Sequence, residues 1–125
     1  MNFPSKLKSQ IYNSIVPIVC GSERGTAFFI SPDTLLTARH IIVDYIESNH
    51  AEEIIIETGK TILCTPIFLA EEGDNIDIIL LKSLEYTSSS YLNLLSTSFT
   101  EESVYSIIGY PREFGYSSNL ICFDV

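Results

Sequence analysis

Short apolar segments alternate with turn residues along most of the chain, and β-branched side chains are crowded into these segments. Segments of this length and composition favour β-strands over helices. They span Ser14–Cys20, Thr26–Ile30, Thr34–Thr37, Glu53–Thr58, Thr61–Leu69 and Ile76–Lys82. Six short strands separated by turns predict a small all-β unit over residues 14–85, either a closed barrel or a sandwich.

Two other segments have the apolar spacing of a helix. Residues 1–13 contain a short amphipathic helix over Pro4–Asn13, and a helical turn or longer is predicted within Ala38–Asn49. Residues 86–102 are rich in Ser and Thr and predict a connector. Two further strand patterns follow at 103–109 and 120–125. The whole chain is therefore predicted to be all-β with short helical turns.

Composition limits the classes of partner. The 125 residues are 46% hydrophobic, which is enough for a core. The net charge is −9, and the sequence contains no cluster of Lys and Arg. Nucleic acid and anionic membrane surfaces are therefore not expected as partners. Ten of the acidic residues lie between positions 44 and 85, and we interpret this band as a solvated face. The length suffices for one barrel and is short for two.

The cysteines predict buried thiols in a reducing compartment. Cys20, Cys64 and Cys122 are far apart, each in an apolar run, and no pair has the close spacing of a metal or redox site. No apolar run approaches the roughly 20 residues that span a bilayer, and residues 1–10 lack a signal-like stretch. We therefore expect a cytoplasmic protein, although a chain trimmed of its signal would look the same.

His40 and Asp77 are the candidate catalytic residues. His40 stands where the third predicted strand passes into a helical turn, and Asp77 interrupts the apolar run of the sixth strand. A buried carboxylate costs stability unless it is hydrogen-bonded, and an Asp beside an imidazole holds the tautomer of a general base. On spacing alone, a structural His and a hydrogen-bonded Asp at a strand end are also possible readings.

Metal binding is the competing use of His40. Asp44 and Glu47 follow it at helical spacing, but His50 is ten residues away and suits a solvated loop. We therefore expect no metal site. No phosphate-binding glycine motif occurs in the chain, so no cofactor is expected either.

Four segments, in order, resemble the N-terminal half of the trypsin-like (chymotrypsin-fold) serine proteases. They are GTAFFISPD from Gly25, LLTARH ending at His40, NIDIILL around Asp77, and the strand from Val104 that ends in IIGYP at Pro111. Arg39 replaces the small residue that is usual before the histidine of this family. Ile41 in place of a cysteine, and the residues before Ser14, resemble the bacterial type.

The resemblance implies that His40 is a general base and Asp77 its orienting carboxylate, with the active site between two β-barrels. Residues 14–85 would then be the first barrel and residues 103–125 the first hairpin of a truncated second barrel. The family's nucleophile lies in a G-x-S-G-G segment of the second barrel, and no such segment occurs in these 125 residues. The resemblance therefore predicts half of a peptide-hydrolysing enzyme, inactive by itself.

Three interpretations follow. The first is the His- and Asp-bearing half of a serine endopeptidase, which acts on a peptide or protein substrate. The second is a non-enzymatic, protease-derived barrel that binds a partner within a larger sensor or defence protein, and the third is an unrelated small all-β domain. A hairpin over residues 103–125 without the rest of its barrel would expose an apolar surface. We expect this surface to be covered by a second barrel, a fused domain or another subunit, or else to drive self-association.

Overall fold

The computed structural model describes residues 5–69, 76–93, 106–109 and 121–124. Its elements in chain order are α1 (Ser5–Ser14), β1 (Ile15–Cys20), β2 (Glu23–Phe29), β3 (Thr34–Thr37), a 3₁₀ turn (Arg39–Ile42), α2 (Val43–Glu47), β4 (Ile54–Glu57), β5 (Thr61–Leu69), β6 (Ile79–Ser83), β7 (Ser106–Gly109) and β8 (Ile121–Asp124). None of the described helices is long and apolar enough to cross a membrane.

Six strands form a closed antiparallel barrel in the order β1-β2-β3-β6-β5-β4, and β4 pairs back to β1. The barrel confirms the predicted fold class. Its strands follow the sequence pattern closely, with two shifts. β2 begins at Glu23, because a two-residue turn led by Gly21 at φ +57° brings Glu23 opposite Cys20. β6 begins at Ile79 and not at Ile76.

Alternate residues of the strands point into the barrel and fill it. The fully buried side chains include Ile18 on β1, Phe29 on β2, Leu35 on β3 and Leu81 on β6. This alternation of inward and outward residues is what closes a small barrel around a packed interior. The register shifts between Pro66 and Phe68 on β5, where the strand changes its pairing with β6.

The predicted burial of the thiols is confirmed for two of the three cysteines, and the compartment stays a prediction. Cys20 and Cys64 are buried and free. Burial disfavours the charged thiolate, so it raises the pKa of Cys20 and raises that of Cys64 to about 12. Neither thiol is therefore suited to act as a nucleophile. The side chain of Cys122 lies outside the described residues.

The C-terminal part is described only in its backbone pairing. β7 and β8 form a two-stranded antiparallel sheet in which Ile108 pairs with Cys122. The proposed connector over 86–102 and the proposed apolar surface of the hairpin fall largely outside the described residues. The domain boundaries, including a truncated second barrel, stay predictions.

Candidate active site

The register of two barrel strands brings His40 and Asp77 together. Thr37, the last residue of β3, pairs with Ile79, the first residue of β6. Because the two strands are antiparallel, continuing that register past this pair places residue 77 beside residues 39 and 40. Residues 37 positions apart in sequence therefore meet at one end of the barrel.

The chain turns sharply after β3 and is held at that point by the core. Ala38 is extended (φ −78°, ψ 138°), and its carbonyl accepts a hydrogen bond from the Ile41 N–H at 3.2 Å, which closes the 3₁₀ turn. Ile41 and Ile42 are buried in the barrel core, so the turn cannot slide along the barrel without exposing them. His40, between the strand and these anchors, projects outward. The predicted helix over Ala38–Asn49 is thus a 3₁₀ turn followed by the short α2.

Asp77 contacts His40 through both carboxylate oxygens. Oδ1 accepts a hydrogen bond from the His40 backbone N–H at 2.8 Å, and Oδ2 lies 2.5 Å from His40 Nδ1. The hydrogen bond from the imidazole is the main cause that lowers the pKa of Asp77, opposed by partial desolvation and aided by the backbone N–H groups of His40 and Arg39. An ionised carboxylate only accepts hydrogen bonds, so Nδ1 is the donor to Asp77, and in a neutral ring Nε2 then presents its lone pair.

Asp77 is not buried, and the prediction that it lies within a buried strand is wrong. The side chains of His40 and Asp77 are 63% and 54% exposed. The two apolar residues that flank Asp77 suggested a strand interior, but they precede β6 and are themselves exposed. A carboxylate at this position remains hydrated, so it is stabilised in its charged form without a large desolvation cost.

The metal alternative finds no support among the described residues. In residues 5–69, 76–93, 106–109 and 121–124, no three His, Cys, Asp or Glu side chains come close enough to hold a metal ion. Asp44 turns towards Ser22 on the β1–β2 turn, and the His50 ring stacks on Tyr45 with a centroid separation of 4.3 Å. His40, Asp44 and His50 thus have separate contacts.

Arg39 stands beside the pair but contributes to it only through its backbone. Its N–H group helps to keep Asp77 ionised. Its side-chain Nε is buried and has no hydrogen-bond partner within the described part of the chain. The sequence marked Arg39 as unusual, and nothing in the described structure gives its side chain a role.

One groove lies away from the His40–Asp77 pair, between α1 and the barrel, and the sequence pattern did not predict it. Its volume is about 680 Å³, and it is lined by Leu7, Gln10, Ile11, Ile15, Thr26, Phe28, Leu92 and Asn93. Gln10 Nε2 donates to the Tyr91 carbonyl at 3.2 Å and ties α1 to the segment that follows the barrel. The amphipathic pattern of α1 is the one feature of the sequence that could have pointed to such a surface.

We expect removal of the imidazole to raise the pKa of Asp77. In a His40→Ala variant the carboxylate loses its main hydrogen-bond donor and should titrate nearer to its ordinary value. Because the pKa of folded Asp77 is lowered, its contribution to stability is present above the unfolded pKa and is lost as pH falls through the folded pKa. Carbon-13 NMR of the Asp77 carboxyl across pH 2–6 measures this directly, and Asp33, which has no contact with His40, is the internal control. An unchanged Asp77 titration would contradict the described contact.

Comparison with known proteins supports the fold. No family model matches the sequence, and no curated protein matches it. Solved structures do match. The inactive form of the Rv3671c protease aligns with a TM-score of 0.63 at 20% identity, over 90% of this chain and 50% of that one. A Ser-to-Ala mutant of Rv3671c from M. tuberculosis H37Rv, also in an inactive form, aligns with a TM-score of 0.72 at 20% identity, over 98% and 53%.

The chain therefore spans about half the length of these solved structures. At 20% identity the likeness shows a shared fold, an antiparallel barrel of the chymotrypsin-like kind that occurs in a protease. It does not extend to the chemistry of individual residues.

Proposed function

We propose that this chain is the His- and Asp-bearing barrel of a trypsin-like serine endopeptidase of bacterial type. The observation that carries the proposal is the double contact of Asp77 with the backbone and the ring of His40. A structural ion pair needs only one of these contacts. The two together set the position of the residue and the rotation of its imidazole, which is what a general base requires.

The chemistry follows from the hydrogen bonds. Nδ1 of His40 faces Asp77, so Nε2 is the nitrogen left to take a proton from a serine hydroxyl and later to return it to the leaving amine. Asp77 stabilises the imidazolium that forms in between. The serine and the backbone N–H groups that would stabilise the oxyanion belong to a segment not found in these 125 residues. We therefore infer that they come from further sequence or from another subunit.

The surface around the pair suits such an arrangement. Ile76 and Ile78, on either side of Asp77, are 52% and 44% exposed. Two exposed isoleucines beside a polar pair suit a face that another domain, a subunit or a substrate would cover. The same exposure favours the second candidate, a protease-derived barrel that binds a partner without catalysis. The two functions differ in whether a nucleophile is ever placed against Nε2.

Labelling with a fluorophosphonate, which reacts with activated serines, tests whether the chain alone has a catalytic nucleophile. We expect no serine of the 125-residue chain to be labelled, because the sequence holds no G-x-S-G-G segment to supply a nucleophile with its oxyanion donors. A serine protease of known activity, treated in parallel, shows that the reagent works. Mass spectrometry measures the incorporation, and stoichiometric labelling of any serine would contradict the proposed inactivity of the chain alone.

The coding sequence decides between the two functions. If it continues past Val125 into a G-[DN]-S-G-G segment, we expect its full product to be labelled at that serine and to hydrolyse peptides. Labelling should then depend on His40. A stop codon at that point, with no partner chain that supplies the segment, would instead favour the binding module.

A further inference from the structure

Asp44, four residues after His40, is hydrogen-bonded to a hairpin turn that lies 22 positions earlier in the sequence. Asp44, in the first turn of α2, accepts two hydrogen bonds at Oδ2, from the Ser22 backbone N–H at 2.8 Å and from Ser22 Oγ at 3.0 Å. Ser22 lies in the turn between β1 and β2. One carboxylate oxygen therefore joins α2 to the β1–β2 turn. Such charge-assisted bonds to a backbone N–H are directional as well as strong.

The hairpin turn leaves room for that carboxylate. Gly21 adopts φ +57°, and a Cβ at this position would lie 2.3 Å from Asp44 Oδ2. Real Cβ atoms do not approach an oxygen so closely, so any other residue at position 21 would push the carboxylate away. Glycine here serves two purposes, the left-handed backbone and the close approach of the side chain.

The contact is transmitted to His40 over a short, continuous segment. The 3₁₀ turn that contains His40 leads directly into α2, and the Val43 N–H donates to the His40 carbonyl. On the other side of the turn, Ile41 packs against Gly25 of β2, where an added Cβ would lie 2.6 Å from Ile41 Cδ1. The side chain of His40 itself contacts Asp77 and is otherwise exposed. Tyr45 and Ile46 of α2 also pack against the barrel core, and the Asp44 carboxylate adds the polar contact that ties the first turn of α2 to Ser22.

We propose that Asp44 is a positioning residue, which holds α2 on the Gly21–Ser22 turn and thereby sets the orientation of His40 against Asp77. This proposal rests on the proposed function, because it concerns the same catalytic pair. Asp44 touches neither His40 nor any reacting atom, so its effect is transmitted through the backbone. The sequence noted Asp44 only as a possible metal ligand.

The test uses the 125-residue chain and observes the His40–Asp77 hydrogen bond by proton NMR. A proton shared between an imidazole Nδ1 and a carboxylate resonates far downfield, and its signal is lost when the two groups separate and the proton exchanges with water. We expect Asp44→Ala and Gly21→Ala to abolish or broaden this resonance. Asp44→Asn should restore it, because its amide oxygen still accepts from Ser22. Amide spectra check that each variant is folded.

Glu47→Gln is the matched control for charge. Glu47 lies on the same short helix and is exposed, and its neutralisation should leave the resonance unchanged. If Asp44→Ala retains the resonance in a folded chain, or if Glu47→Gln removes it equally, the positioning role is overturned. Should Gly21→Ala fail to fold, the comparison of Asp44→Ala with Asp44→Asn still decides.

The outcome distinguishes this proposal from the one on which it rests. If the unaltered chain shows neither a downfield resonance between pH 4 and 8 nor a lowered pKa of Asp77, the His40–Asp77 pair is absent in solution and the proposed function fails with it. Where exchange with water hides the resonance, the pKa of Asp77 is the readout for the same variants. If the unaltered chain shows the resonance and all the variants keep it, only the role of Asp44 fails. A purely structural role would lower the unfolding temperature of Asp44→Ala and leave the resonance in place.

Discussion

Replacing Phe29 with Ala should lower the free energy of unfolding by about 3–5 kcal/mol. Phe29 is fully buried in the barrel, and the centroid of its ring lies 5.9 Å from the centroid of the Tyr86 ring. Its removal leaves a cavity between strands whose pairing prevents collapse. Domains of this size are stable by about 5–15 kcal/mol, so the variant should lose a large share of its stability. Urea titration followed by circular dichroism measures the change.

Two leucines provide a matched comparison for this prediction. Leu35 on β3 is fully buried, whereas Leu63 on β5 is 41% exposed. The same substitution by Ala should therefore cost about 2–5 kcal/mol at position 35 and about 1 kcal/mol or less at position 63. Equal costs at the two positions would show that the interior of the barrel is not packed as described.

In a protein that also carries the nucleophile, the largest expected effect is on activity. His40→Ala removes the proposed general base, and Asp77→Asn leaves the ring in place but reverses the tautomer that it favours. In serine proteases the second change lowers kcat by about 10⁴-fold, and we expect at least that loss for each variant. The KM should change little, because neither side chain binds the substrate backbone. Steady-state hydrolysis of a peptide substrate measures both constants.

His50→Asn is the control for the activity measurement. His50 is exposed, lies after α2 and stacks on Tyr45, and its φ of +69° suits asparagine. We expect the rate of hydrolysis to be unchanged in this variant. A loss of activity similar to that of His40→Ala, or full activity of His40→Ala itself, would contradict the assignment of the general base.

The exposure of the His40–Asp77 pair bears on how such an enzyme would be built. Over half of each side chain is open to solvent, and Ile76 and Ile78 beside them are also open. Water weakens the interaction of charges and competes for their hydrogen bonds. A second barrel seated on this face would exclude that water and strengthen the contact. We therefore expect the contact, which is already formed in this chain, to become stronger in the complete protein.

The strands of the barrel could be predicted from the sequence because a local pattern of residues indicates each of them. Short apolar runs rich in β-branched residues stand between turn residues, and the bounds of β3 and β5 were predicted to the residue. The order of His40 and Asp77 among these strands also suggested a pair, through the resemblance to a protease family. Local composition and motif order carry this information without any knowledge of contacts.

Other features depended on the folded barrel. Asp77 was expected in a buried strand because Ile76 and Ile78 flank it, but β6 starts at Ile79, where its pairing with Thr37 begins. Strand ends follow the partner strand and not the hydrophobicity of one segment. The contact of Asp44 with Ser22 joins residues 22 positions apart, so no local pattern could indicate it.

The sequence by itself thus determined the strand segments, the residue types of the candidate pair and the absence of a G-x-S-G-G segment from these 125 residues. Only the tertiary structure decided that the strands close into a barrel, that Asp77 reaches both the backbone and the ring of His40, and that this pair lies open to solvent. The physical reason is that closure and exposure result from pairing between distant strands, whereas strand formation and motif chemistry are encoded within a few consecutive residues.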